Sequence, residues 1–185
     1  MTLLEMKKKI LSLIEEIDET QATILTNDPD IKSKLPYVIN QIQNELSRIK
    51  KIPSYKEIEV NEGDILEFSD IDTEYEVYQL DVVRGIKYDL KAQGTIIKAL
   101  EDGILEVEYF RYPTAINEKT STSFEFDLSN DVLEIMPYGV AADLLKSDVS
   151  NAYGNIYAQR YELMKQQLDP RYSIGIMEVE GGIDV

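Results

Sequence analysis

A chain of 185 residues can bury a substantial core, as one domain or as two small ones. It holds no cysteine, histidine or tryptophan, which removes thiolate and imidazole nucleophiles, histidine general bases, Cys/His zinc sites and any disulfide framework. The net charge of −16 is uneven, at 0 over residues 1–52, −11 over 53–128 and −5 over 129–185, so most of the surface repels nucleic-acid backbones.

Thr2-Leu3-Leu4-Glu5 forms a capping box ahead of an apolar run. Leu3, Met6, Ile10, Leu13 and Ile17 recur at steps of three and four, which predicts an amphipathic first helix rather than a leader with a cleavage site. Lys7-Lys8-Lys9 falls between stripe positions and reads as a solvated face. After a polar connection over residues 20–27, Asp28-Pro29 supplies an N-cap and a first-turn proline. Ile31, Leu35, Val38, Ile42, Leu46 and Ile49 make the stripe of a second helix. Pro36 removes the backbone bond to Lys32, so a kink, or a short helix followed by a longer one, is expected there. Ile52-Pro53 is expected to close the segment.

The periodicity then changes to two. Glu57 to Val60 alternates, and Asn61-Glu62-Gly63-Asp64 is a turn into a strand at Ile65 to Phe68. Tyr75 to Val83 reads as a strand with Tyr78, Leu80 and Val82 on one face, and Gly85 separates it from Ile86 to Leu90. A hairpin is expected from Thr95–Leu100 to Ile104–Tyr112 around Glu101-Asp102-Gly103, with Pro113 ending it. A last strand is expected at Phe124 to Leu128. The final helical hairpin, joined near Lys146 to Asp148, carries Tyr153, Ile156/Tyr157, Arg160/Tyr161, Met164 and Leu168 at three- and four-residue spacing. Tyr153, Tyr157 and Tyr161 would stack on one helix face, suited either to a half-buried core or to a neighbouring subunit.

The fold class is therefore α+β. Two N-terminal and two C-terminal helices form a four-helix core, with a small antiparallel β module inserted and an extended C-terminal arm. The expected divisions are 1–52 (helical pair), 53–128 (acidic β module), 129–170 (helical hairpin) and 171–185 (arm).

No catalytic constellation emerges. Asp70-Ile71-Asp72-Thr73-Glu74 has acidic spacing that could wrap a hard cation, but it lacks the loop glycine and distal glutamate of a calcium loop and reads as a turn. Gly85, Gly94 and Gly103 make no phosphate-cradling fingerprint, and Ser121 and Ser123 have no histidine to activate them. Tyr109 to Tyr112 mixes aromatics with one cation, yet Glu106 and Glu108 flank it. The expectation is a protein that is not an enzyme and needs no cofactor or metal. No apolar run reaches the length of a membrane span, so no membrane partner is expected.

The order of elements carries a resemblance. It lies in Asp28–Ile49 with its Leu35-Pro36, and in the strand Val107-Glu108-Tyr109-Phe110-Arg111-Tyr112-Pro113. It continues through Met136-Pro137-Tyr138-Gly139-Val140-Ala141-Ala142-Asp143-Leu144-Leu145-Lys146-Ser147-Asp148, followed by Ala152 and Tyr161. In this the chain resembles the head–tail adaptor (connector, or head-completion) proteins of tailed bacteriophages. The resemblance implies a ring, usually dodecameric, beneath the portal vertex. Such a ring extends the DNA channel and gives tail or head-closure proteins a platform. The implied partners are the portal protein, further copies of the chain and those tail or closure proteins. DNA would pass through without specific binding. The implied location is the virion neck, after assembly in a bacterial cytoplasm. Negative channel walls would avoid gripping phosphates, which makes Asp143, Asp148 and Glu162 lumen candidates.

Residues 171–185 mix the apolar Tyr172, Ile174, Ile176, Met177 and Val179 with Gly175, Gly181 and Gly182. Such an arm orders on a partner, for instance by adding a strand, or packs back on its own domain. Arms of the resembled family commonly dock on the portal. A different class of function also fits the charge: an acidic DNA mimic that blocks a DNA-binding protein or nuclease, with carboxylates in two regular rows.

Overall fold

The computed structural model describes residues 1–15, 26, 28–146 and 152–168, and the chain is α+β. It divides into two compact units, one built from residues 1–52 and 112–170, the other centred on residues 53–111.

The first unit is helical. Helix α1 (Leu3–Leu13) starts on the predicted capping box, with both halves of the exchange between Thr2 and Glu5 formed. It buries Leu3, Met6, Ile10 and also Leu11, whereas Leu13 is half-buried and Ile17 lies outside the described residues. Helix α2 (Pro29–Ile49) starts where Asp28 accepts the amides of Asp30 and Ile31, at 2.8 and 3.3 Å. Pro36 does not split it. The helix runs through the proline as one element, with Pro36 itself buried and the freed Lys32 position exposed, where water can satisfy its carbonyl. Helix α4 (Asn130–Leu145) buries residues all round, from Val132 to Ala141, as a helix enclosed by others does. It packs against α1, α2 and helix α5 (Ala152–Gln166). Side chains of all four helices share one buried cluster.

The segment from Tyr112 to Leu128 belongs to this unit, not to the β module, and the expected strand at Phe124 to Leu128 is absent. Only an isolated bridge, Thr2 to Glu125, remains of it. The reason is packing: Ile116, Phe126 and Leu128 are buried among the helices, and Phe124 meets Phe126 edge to face at 5.4 Å. The segment is held to α2 by polar groups the apolar stripe did not reveal. Asn40 exchanges both hydrogen bonds with the Ile116 backbone, at 2.8 and 2.9 Å. The fully buried Gln43 donates to the Thr114 carbonyl at 3.1 Å.

The second unit holds two three-stranded sheets. One has the order β1 (Ile52–Val60), β6 (Gly103–Arg111), β3 (Val77–Arg84), and the other the order β2 (Ile65–Glu67), β5 (Ile96–Ala99), β4 (Tyr88–Lys91). A four-residue helix, α3 (Phe68–Ile71), follows β2. Val60, Ile71, Val77, Ile97, Ala99, Leu105, Val107 and Tyr109 make the common core. Ile52-Pro53 does close the N-terminal helical segment, and Pro53 lies second in β1, an edge strand that tolerates it. Two expectations change here. The hairpin around Asp102-Gly103 does not form, because β5 and β6 lie in different sheets. Instead the Asp102 carboxylate takes the Glu62 amide at 2.7 Å, and the true hairpin joins β4 to β5. Its turn uses left-handed residues Ala92, Gln93 and Gly94. Finally, β3 carries two irregularities against β6, between Val77 and Gln79 and between Leu80 and Val82. Each shifts the alternation by one residue, so the core face is Val77, Leu80, Val83 rather than Tyr78, Leu80, Val82.

Candidate functional site

Helix α5 presents three tyrosines that the spacing placed on one face, and they fall in three different environments. Tyr161 is 6% exposed. Gly139 of α4 permits this, since a β-carbon there would stand 2.8 Å from one ring carbon of Tyr161 and 3.2 Å from Ile42 Cδ1. Burial, then the nearby carboxylate of Glu45, pushes the Tyr161 phenol well above its ordinary range. Tyr161 is therefore a core residue, and the expectation that it meets a neighbouring subunit is corrected. Tyr157 is half-buried and donates to the Leu13 carbonyl at 2.8 Å, satisfying one of the orphan acceptors that end α1. Tyr153 stacks on Tyr157, with ring centres 6.3 Å apart, and is 56% exposed. The inner line of α5 is Tyr157, Tyr161 and Met164, continued by Leu168 beyond its end.

Beside that line runs an apolar flank. Ile156 is 54% and Leu163 61% exposed, one heptad apart and hence on one side of the helix. Between them the Arg160 guanidinium lies over the Tyr138 ring at 4.3 Å from its centre. Tyrosine and arginine are among the residues enriched at interface centres, and here they adjoin two exposed aliphatic side chains. The sequence stripe included Ile156 but missed Leu163. Its signal was an apolar residue seven positions on from Ile156 and off the buried line.

Two of the three lumen candidates, Asp143 and Glu162, pair with a cation. Asp143 accepts from Gln41 Nε2 at 3.3 Å and lies 3.9 Å from Lys146. Glu162 accepts from Lys165 at 2.6 Å, and the same ammonium reaches Glu45 at 2.7 Å. Asp148 lies outside the described residues, as do Tyr172, Ile174, Ile176, Met177 and Val179 of the arm.

The acids of the β unit are arranged differently. Glu57 and Glu59 alternate outward on β1, and Glu106 and Glu108 on the adjacent β6. Tyr55 donates to Glu57 at 2.8 Å. That bond, with burial and the fields of Glu106, Glu57 and Glu108, pushes its phenol up to about 12. Arg84 lies 3.5 Å from Glu108. The Asp70–Glu74 stretch is occupied with its own backbone: Asp70 accepts the Glu67 amide at 2.8 Å, and Asp72 accepts the amides of Glu74 and Tyr75 at 2.9 and 3.3 Å. Asp72 also takes a 2.5 Å hydrogen bond from the Tyr109 hydroxyl. Among the described residues no group of three or more acidic, cysteine or histidine side chains converges as a metal site would. No described helix is long and apolar enough to cross a membrane. No protein-family model matches the chain, and no curated protein matches it.

Proposed function

We propose that the protein is a structural assembly subunit whose copies associate through the exposed flank of α5, in the manner of a phage head–tail adaptor. The observation that carries this reading is the patch of Tyr153, Ile156 and Leu163, each more than half exposed on a helix whose other side is packed. Ile156 and Leu163 are 54% and 61% exposed, so completing their burial between copies would contribute about 0.8–1.8 kcal/mol each. The four helices that share one cluster act as a four-helix core and form the wall of a ring, dodecameric as in the resembled family. The ring sits under a portal in the virion neck, passes DNA without gripping it and offers a platform to tail or closure proteins. The C-terminal arm meets the portal. The acid excess of −11 over residues 53–128 suits a conduit that must not retain phosphates. Electron microscopy of the chain alone and with a portal protein tests this. Rings with a central channel are expected, and compact monomers under both conditions would refute it.

A second reading has its own observation. Glu57 and Glu59 beside Glu106 and Glu108 form two short carboxylate rows on neighbouring strands, as an acidic DNA mimic would require. Arg84 near Glu108 interrupts them, which favours the assembly reading. Competition with duplex DNA for a nuclease would support the mimic.

A further inference from the structure

The flank of α5 needs a counterpart, and its own chemistry argues against pairing with itself. In a two-fold interface the same patch faces itself, so a residue at its centre meets its own copy. Arg160 stands between Ile156 and Leu163, and a second flank would set another guanidinium against it. Like charges brought together in an interface cost stability. A different surface avoids that cost, and head-to-tail contacts of this kind are the ones that close into rings.

The helical unit carries one further surface of the right kind. Among its described residues, the large exposed apolar side chains are Tyr153, Ile156 and Leu163 on α5 and Tyr37 on α2, which is 75% exposed. Tyr37 borders a hollow of about 440 Å³, lined also by Pro36, Ile116, Asn117, Glu118 and Lys119. Pro36, Tyr37 and Ile116 give it apolar walls, and Asn117, Glu118 and Lys119 are exposed. Its loop side is already held in place. Asn40 exchanges both hydrogen bonds with Ile116, the Lys119 amide donates to Asn117 at 2.8 Å, and the Asn117 amide donates to Thr120 at 2.9 Å. A preformed hollow loses little freedom on binding. Glu118 supplies a carboxylate for an arginine, and Lys119 beside it leaves the rim without net charge, so the hollow admits the cation that a second flank would repel.

We propose that the α5 flank of one copy seats in the Tyr37 hollow of the next, with Ile156 and Leu163 against Pro36, Tyr37 and Ile116, and Arg160 beside Glu118. This names the partner of the flank and rests on the assembly reading above. Each copy then offers one flank and one hollow, so the contact repeats from copy to copy.

Two full-length variants test it: Ile156→Asp/Leu163→Asp spoils the flank and keeps the hollow, and Tyr37→Asp spoils the hollow and keeps the flank. Every change is at an exposed side chain, and circular dichroism verifies the folds. Sedimentation velocity is run on the natural chain, on each variant and on their equimolar mixture, at concentrations well above those at which the natural chain assembles. The expected results are oligomers of the natural chain, a monomer for each variant alone, and a one-to-one dimer in the mixture, where one intact flank meets one intact hollow. The absence of cysteine adds a trap. Tyr37→Cys and Leu163→Cys chains are mixed under mild oxidation, and disulfides between unlike chains are expected in clear excess over those between like chains. If Tyr37→Asp assembles as the natural chain does, or if the mixtures give neither the dimer nor the excess, the hollow is not the partner, although the flank reading stands. A natural chain that stays monomeric with and without a portal protein, or a folded flank variant that assembles, overturns the flank reading and this proposal with it.

Discussion

Gly139→Ala sets two effects of opposite sign against each other inside α4. Alanine in a helix interior is favoured over glycine by about 1 kcal/mol. The new β-carbon, however, would stand 2.8 and 2.9 Å from two ring carbons of Tyr161 and 3.2 Å from Ile42 Cδ1. Both neighbours are buried, at 6% and 4% exposure, so neither can swing into solvent. Overpacking of this kind costs about 1–3 kcal/mol, leaving a net loss of roughly 0–2 kcal/mol for the single variant. Tyr161→Ala removes the obstructing ring at a cost of about 3–5 kcal/mol. In that background Gly139→Ala meets no ring and should stabilise by about 1 kcal/mol. The assay is urea unfolding followed by far-ultraviolet circular dichroism, run as a double-mutant cycle at fixed protein concentration. A reversal of sign between the two backgrounds is the expected result. If Gly139→Ala stabilises the natural chain as much as it does the Tyr161→Ala chain, Tyr161 does not occupy the α2–α4 crevice and its assignment to the core is wrong.

Gly85 has φ of +106°, and a β-carbon there would lie 2.2 Å from the Ile104 carbonyl oxygen, so Gly85→Ala should cost at least about 2 kcal/mol and lower the melting temperature of the β unit. At Asp72, burial raises the carboxyl pKa, but the Tyr109 phenol and the amides of Glu74 and Tyr75 outweigh it and hold it below its ordinary 3.8. Stability from this group is therefore present above pH 3.8 and lost as pH falls through the depressed folded value. Tyr109→Phe should lose stability near neutral pH and show a smaller drop between about pH 5 and about pH 2, read from urea midpoints. Asn40→Ala removes both bonds to Ile116, and a loss of about 1–3 kcal/mol with faster amide exchange at Ile116 is expected.

What the sequence made legible was mostly local. The Thr2/Glu5 box and the Asp28-Pro29 start are satisfied within one turn, so their chemistry is written in adjacent residues. The α5 line of Tyr157, Tyr161, Met164 and Leu168 follows from helix period alone. Strand partners were not legible. Asp102-Gly103 has the chemistry of a tight turn, but a turn does not say which strand the departing chain will join. Here the Asp102 carboxylate is drawn to the Glu62 amide, and β6 crosses into the other sheet. The two irregularities of β3 are likewise invisible in its sequence, and each reverses the inward face from that point on. Phe124 to Leu128 alternates like a strand but is buried against helices, because two phenylalanines and a leucine serve either kind of core. At the candidate site, periodicity grouped three tyrosines that the Gly139 gap separates, by drawing Tyr161 inward while Tyr153 stays exposed.

On the assembly reading proposed above, the α5 flank joins copies of the chain. Sedimentation velocity over a concentration series, on the natural chain and on Ile156→Asp/Leu163→Asp, tests it most directly. Both residues are more than half exposed, so the double variant should keep its fold, which circular dichroism would verify. The natural chain is expected to sediment as a closed oligomer at high concentration, and the variant as a monomer throughout. If the natural chain stays monomeric at every concentration, with and without a portal protein, or if the folded variant assembles as the natural chain does, the flank is not the assembly surface.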